Sequence, residues 1–413
     1  MSQRVSIRST AKMKELMGFY YMMAKAAEND PNQKIAWITS GGPVEILHAG
    51  GVIPIYPENV AAMAGTLKIS DEICAIAEEQ GFSRDLCSYA RTDIGSALSG
   101  KGPIMGTASP KPDFLVCCNN ICGTVTKWYE ELQRIFNVPL IFIDAPFQYG
   151  IKDRPEAIDY MEAQLRRMID QVGEITGNPI SWDKFMETLD LADRAVKLWR
   201  EIQDLLQHKP APMNSFDTFI HLAPIVTLRG TQGCIEYYET LKAEMLERIE
   251  QGIGTLEKEE YRLGWDNLAI WYKIKFLSER FSQHNAALVV STYTRSFCYQ
   301  AEDRDISNPL RAMSADYLAG YINHGLDFRE RELYQMVKDF SLDGLVMHSN
   351  RSCRAYSFGQ YELARTMEDK YGVPVLLIEA DQNDTRMWSD EQVGNRIDAF
   401  MERVASKRNK NIA

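Results

Sequence analysis

At 413 residues, 45% of them hydrophobic and 25% charged, the chain is long enough for two or three domains, each with its own core. A net charge of -11 argues against a general nucleic-acid binder, which needs an electropositive face for phosphates. No stretch comes near about eighteen uninterrupted apolar residues, and the N-terminus lacks the apolar core of a secretory signal, so a cytoplasmic protein away from any membrane is expected.

In chain order, Met13, Leu16, Met17, Tyr20, Tyr21 and Ala24 share one helical face, which predicts an amphipathic N-terminal helix within residues 1–30. A first α/β domain is expected over 31–152. It starts with the strand KIAWITS, a Gly41-Gly42-Pro43 turn, a short helix and the strand Val52 to Tyr56. Ser40 and Glu58 both fall just beyond strand ends. Ser40 is as readily a helix cap as a functional hydroxyl, and a loop acid such as Glu58 is ordinarily solvated. Ser70 to Glu79 reads as a helix with Cys74 in the core. Cys87 opens a short helix, and Gly95 to Pro110, rich in Gly, Ser and Pro, reads as a loop. Strand 113–118, a helix faced by Val125, Trp128 and Leu132, and strand 139–144 then form a βαβ unit, which implies a parallel sheet.

Residues 153–285 carry a helical pattern, with Met161, Leu165 and Met168 on one stripe and Phe185, Leu189, Val196 and Trp199 on the next. Such stripes are ordinarily core. The aromatic-dense run YRLGWDNLAIWYKIKF falls at the end of this region and reads first as packing. A second α/β domain is expected over 286–413, from the strand ALVVSTY to a last helix, Asp390 to Arg408.

The two α/β domains share an internal repeat. Asp113 to Asp144 runs acid, apolar strand, turn with Cys, helix, Val-Pro, apolar strand and acid, and Asp343 to Asp381 runs through the same order. Cys122 and Cys353 occupy matching places, each past a strand end where a helix begins. Ligands of open parallel sheets bind at that rim, and helix N-termini offer amide donors that lower a thiol pKa. Packing is the ordinary fate of one such cysteine; two at equivalent places, with Cys87 at a third loop-to-helix junction, open the alternative of a thiolate site between the domains.

Eight cysteines are too few for a disulfide scaffold, and with no pair of C-x-x-C knuckles a structural zinc ribbon is not expected. Thiolate-only ligation favours soft metals and iron-sulfur clusters. Three cysteines on a four-iron cubane leave one iron open to a substrate oxygen. Cys117, Cys118 and Cys298 stand in reserve, and Cys234 reads as packing.

The runs DLCSYARTDIG, PDFLVCCNNICGTVTKWYE and HSNRSCRAYSFGQYE resemble the 2-hydroxyacyl-CoA dehydratase family, which also includes the ATP-dependent benzoyl-CoA reductases. The likeness covers nearly the whole chain and looks strongest towards the larger, α-type subunits of the 2-hydroxyisocaproyl-CoA type. It implies two Rossmann- or flavodoxin-like α/β domains and a [4Fe-4S] cluster held by Cys87, Cys122 and Cys353. It implies a bound acyl-CoA thioester, with Ser40 matching a serine near the substrate and Glu58 matching the proposed base. The resemblance further implies a smaller β-type partner subunit in a heterodimer and an ATP-hydrolysing iron-sulfur activator that injects one low-potential electron. The chain itself has no G-x-x-x-x-G-K-[ST] loop, so ATP hydrolysis is expected of a partner.

In that family's chemistry, one-electron reduction of the thioester carbonyl to a ketyl radical lets the 2-hydroxyl leave and acidifies a β-hydrogen. The reductase branch shares the three cysteines and a region like ADYLAGYINHGLDFRERELY, so a reductase subunit is the alternative reading. A serine in the TSGGP turn favours the dehydratase. A cluster-bearing electron-transfer subunit without a substrate site is the third reading.

Overall fold

Residues 6–150, 154–301 and 304–412 are described in a computed structural model of the chain. Seven apolar runs expected to be strands form strands. β1 is Lys34–Ile38, β2 Val52–Ile55, β3 Lys101–Ile104, β4 Phe114–Cys118, β5 Leu140–Ile143, β6 Tyr261–Asp266, β7 Ala286–Ser291, β8 Gly344–Asn350 and β9 Val375–Ala380. They make two four-stranded, wholly parallel sheets, ordered β2-β1-β4-β5 and β7-β6-β8-β9. β4 and β7 are buried along their whole length, as expected of parallel strands covered by helices on both faces.

The chain therefore traces one flavodoxin-like path twice. In each sheet the second strand lies to one side of the first and the third crosses to the other side, leaving a topological switch point at the carboxyl ends of β1 and β4, and of β6 and β8. The acid that opens each repeat has a structural task. Asp113 accepts the N–H of Ile35 at 2.8 Å and Asp343 that of Arg262 at 2.8 Å, so each clamps the start of the neighbouring strand.

Two elements differ from the sequence reading. The first is Gly95 to Pro110, expected as a loop: a helix runs over Ser88–Ser99 and β3 forms a small hairpin bridged to Thr107. Gly95 is not a breaker; a Cβ there would stand 2.0 Å from the carbonyl oxygen of Ile73, so glycine is what lets this helix lie against helix Ser70–Glu79. Gly100, at φ +74°, ends it.

The second is β6, which lies within the stretch expected to be helical and aromatic packing, and which is an inner strand of the second sheet. That sheet's strands thus begin at Tyr261, ahead of Ala286. Gly264 and Arg262 disguise the strand. A Cβ on Gly264 would meet Leu342 and Leu345 at 2.8 Å. Arg262, 3% exposed, pairs with the buried Glu259 carboxylate and donates to the carbonyls of Phe340, His208 and Leu206, which satisfies a cation inside the core.

Helices Pro155–Thr176, Trp182–Leu205 and Gln232–Glu250 occupy the middle of the chain, and helix Thr10–Ala27 packs beside them, its Tyr20 hydroxyl donating to the Pro54 carbonyl. Among the described residues no helix is long and apolar enough to cross a membrane.

Candidate active site

The turn after β1 and the turn after β4 meet at the first switch point. Asn120 donates from Nδ2 to the carbonyl of Gly41 at 2.9 Å and to that of Tyr317 at 2.9 Å, tying both turns to helix Pro309–Leu318. Gly41 has no room for a side chain: its Cβ would lie 2.5 Å from Ile121 and 2.9 Å from Asn120. Helix Val44–Ala49 has Pro43 at its N-cap, so Ser40 is not its cap. The Ser40 N–H instead donates to Glu58 Oε1 at 3.2 Å.

Glu58 sits in the first turn of helix Pro57–Thr66 and is 9% exposed, so the solvated-loop alternative does not hold. Its Oε2 has no hydrogen-bond partner. Burial pushes this carboxyl up to about 7, against the pull of backbone amides that include Ser40. A carboxyl that titrates near neutrality and keeps a free oxygen is suited to take a proton.

Ser40, Glu58, Cys87, Cys122 and Cys353 all line one cavity between the two sheets. Its volume is about 130 Å³, and it is partly open to solvent. The three cysteines share a local design. Cys87 is the N-cap of helix Ser88–Ser99, Cys353 that of helix Arg354–Ser357, and Cys122 lies just ahead of helix Thr124–Phe136. Each sulfur accepts a backbone N–H bond from the residue three further on: Ala90, Val125 and Tyr356.

Those amides lower the thiol pKa, as helix N-termini do, but burial outweighs them. All three thiols are pushed up, Cys353 to about 12. Charge on a neighbouring sulfur raises two of them further: Cys122 and Cys353 act on Cys87, and Cys122 on Cys353. The thiolates are therefore stable only beside a positive charge, as ligated metal provides.

Among the described residues no group of three His, Cys, Asp or Glu converges tightly enough to hold a single metal ion. A cluster spreads its ligands over several iron atoms and needs its cysteines farther apart than one ion does. Three thiols converging on one cavity, without imidazole among its lining, fit that class of group.

The other cysteines do not reach the cavity. Cys74, Cys117, Cys118, Cys234 and Cys298 are buried elsewhere, and all eight are free of disulfides. Sequence reasoning missed the tyrosines of the cavity wall, Tyr89, Tyr293, Tyr299, Tyr317, Tyr321 and Tyr356. It also missed the buried ion pair behind that wall: Arg229 Nε donates to Glu45 Oε1 at 3.1 Å, and its Nη atoms reach the hydroxyls of Tyr299 and Tyr317. The dense aromatics of the ADYLAGYINH stretch were a signal for Tyr317 and Tyr321; nothing in the sequence marked Arg229. A neighbouring cavity shares Ser296, Tyr299 and Tyr321 with the first and is lined by Arg200, Arg295 and Arg331.

A family model described as "2-hydroxyglutaryl-CoA dehydratase, D-component" matches residues 39–404. The chain is 32% identical to the (R)-phenyllactyl-CoA dehydratase alpha subunit of Clostridium sporogenes over 91% of each chain. It is 32% identical to the (R)-2-hydroxyisocaproyl-CoA dehydratase alpha subunit of Clostridioides difficile over 96% of each chain. It is also 28% identical to a benzoyl-CoA reductase subunit of Thauera aromatica, over 97% of this chain and 95% of that one.

Proposed function

The chain belongs to the 2-hydroxyglutaryl-CoA dehydratase D-component family, and from that premise we propose that it is the substrate-binding, cluster-bearing subunit of a cytoplasmic (R)-2-hydroxyacyl-CoA dehydratase, a hydro-lyase that forms a 2-enoyl-CoA. The observation that carries this reading is the single cavity that joins Ser40 and Glu58 to Cys87, Cys122 and Cys353.

The shared cavity supports the following roles. Cys87, Cys122 and Cys353 would hold a [4Fe-4S] cluster, from both halves of the chain. When bound, that group supplies an open iron for the thioester carbonyl and a route for the single electron that makes the substrate a ketyl radical. Ser40, beside Glu58, orients the carbonyl end of the substrate through its hydroxyl. Loss of the 2-hydroxyl as hydroxide leaves an enoxy radical whose β-hydrogen is acidified, the free Oε2 of Glu58 takes that proton, and the resulting product radical anion gives its electron back to become the 2-enoyl thioester. The tyrosine wall keeps bulk water from the radical. The arginines of the neighbouring cavity suit the anionic CoA portion of the thioester. The electron comes from an ATP-hydrolysing activator, and a smaller related subunit completes the heterodimer.

The alternative is the corresponding subunit of a benzoyl-CoA-type reductase, which the likeness to the Thauera protein favours. The complex of chain, partner subunit and activator, assembled without oxygen and given 2-hydroxyacyl-CoA thioesters, tests both. Dehydration with no net consumption of reductant is expected. Stoichiometric use of electrons on an aromatic thioester, without dehydration, would overturn the reading in favour of the reductase. A third possibility, an electron-transfer subunit with no substrate site, predicts unchanged turnover when both Ser40 and Glu58 are replaced by alanine.

A further inference from the structure

The cavity that contains Ser40, Glu58 and the three cysteines is apolar and carries no cation. Among its described lining residues there is no Lys, Arg or His. Ile121, Val125, Leu268, Phe297 and Ile322 provide aliphatic and aromatic surface. Its one carboxylic acid is Glu58, which repels a second carboxylate whenever it is ionised.

Two buried arginines lie behind the tyrosine wall and neither lines the cavity: Arg229 sits against Tyr299 and Tyr317, and Arg329 sits against Tyr321 and Tyr356 and donates to the Tyr356 carbonyl at 2.7 Å. Arg229 pairs with Glu45 at 3.1 Å, and the Tyr317 hydroxyl donates to the other oxygen of Glu45 at 2.6 Å. The buried Tyr321 hydroxyl lies beside the Arg329 guanidinium, and as a neutral group it suits a hydroxyl or carbonyl and does not balance a full charge. The adjoining cavity, by contrast, has basic groups in its own lining, Arg200, Arg295 and Arg331, the last two paired with Asp204 and Glu332. The two cavities thus differ in character on either side of Ser296, Tyr299 and Tyr321.

From this division we propose that the acyl group of the substrate is uncharged and apolar and does not end in a carboxylate. The inference rests on the acyl-CoA reading given above and holds for the dehydratase and the reductase alternatives alike. A terminal carboxylate drawn into the cavity would lose its water, find no counter-ion and face Glu58. An apolar group would leave water for apolar walls, which is favourable in proportion to the area covered.

Two thioesters that lack the 2-hydroxyl, and so cannot react, test the proposal on the cluster-loaded complex of chain and partner subunit. 4-Methylpentanoyl-CoA and glutaryl-CoA are titrated by calorimetry without oxygen at pH 7.5. Glutaryl-CoA is expected to bind at least 100-fold more weakly. Equal affinity, tighter glutaryl-CoA, or no binding of 4-methylpentanoyl-CoA would overturn the proposal. Ile322→Arg, shown folded by circular dichroism, is expected to narrow the ratio at least tenfold, and an unchanged ratio counts against it; should that variant not fold, the wild-type titration decides alone. Turnover of the matching 2-hydroxyacyl thioesters scores the reaction separately. A binding preference kept without turnover sinks the dehydratase reading and leaves the acyl class standing, whereas turnover of both substrates alike sinks the acyl class and leaves the dehydratase.

Discussion

The backbone N–H of Ser88 donates to the hydroxyl oxygen of Ser352 at 3.1 Å, joining the residue after Cys87 to the residue before Cys353. The two serines come from different halves of the chain, and both are buried. Ser352 in turn donates to Asp381, whose other oxygen accepts the N–H groups of Asn383 and Asp384 at 2.8 and 2.9 Å. The spacing of two cavity cysteines is therefore fixed by a hydrogen-bonded relay and not by the sulfurs themselves. Ser352→Ala removes the relay's central hydroxyl and leaves an amide and a carboxylate poorly satisfied. A loss of roughly 1–3 kcal/mol is expected in urea unfolding, with faster release of iron to a chelator. Unchanged stability and iron release would show that the relay does not hold the pair.

The cysteines divide into two groups with opposite expectations. Replacing Cys87, Cys122 or Cys353 by serine should abolish most of the bound iron and sulfide in protein purified without oxygen, because each sulfur faces the one cavity. Replacing Cys74, Cys234 or Cys298 should leave iron content unchanged and cost only packing, within about 1–2 kcal/mol. Iron content with electron paramagnetic resonance reads both groups; iron retained in Cys122→Ser would remove it from the ligand set.

Most of the fold was legible because its strands are short apolar runs followed by helices of clear periodicity. β4, β7 and β9 show this plainly. β6 was not legible because its bulge between Leu263 and Gly264 and its buried Arg262 break the apolar run, and both make sense only once Leu342, Leu345 and the Phe340 carbonyl are in place. Helix Ser88–Ser99 was hidden by a glycine whose reason is the close approach of another helix. At the site, motif likeness picked out residues that line one cavity, and the repeat pointed to the rim where Cys122 and Cys353 lie. The burial of Glu58 could not be read, since it depends on walls supplied by distant segments. The net thiol shift ran opposite to the helix-terminus argument because desolvation outweighs a few amide dipoles.

Glu58 carries a pH dependence with a definite sign. Its folded-state value of about 7 lies above the ordinary 4.5, so between those two values the folded chain holds a proton that the unfolded chain has released. Its contribution to stability therefore falls as pH rises from about 4.5 to 7 and is level above that, by about 1.4 kcal/mol per pH unit within the window. Glu58→Gln removes the titration, and its gain in melting temperature over the parent should be larger at pH 8 than at pH 5. If Glu58 is the base, turnover in the parent should climb with pH through about 7 as the carboxylate forms. Glu58→Gln should lose about 100-fold or more of turnover while keeping its iron. A variant with full turnover would remove Glu58 from the chemistry whatever its effect on stability.

Arg229 and Glu45 form a charge pair that is 2% and 4% exposed and far apart in sequence. Breaking such a pair from one side leaves a buried charge without compensation, so Arg229→Met and Glu45→Gln should each cost about 3–5 kcal/mol in urea unfolding. The double variant removes both charges together. It should be less destabilised than the sum of the singles by at least about 1 kcal/mol, the mark of direct coupling. Arg229 also donates to the Gly42 carbonyl at 3.3 Å and to the hydroxyls of Tyr299 and Tyr317. The pair thus holds the turn that carries Ser40 against the tyrosine wall, and its loss should reach the cavity as well as the fold. The double variant, although partly restored in stability, should still bind 4-methylpentanoyl-CoA several-fold more weakly than the parent, because Tyr299 and Tyr317 lose the guanidinium that holds both hydroxyls. Additive stabilities would mean that the two charges are solvated independently, and parental binding in the double variant would show that the wall is held by packing alone.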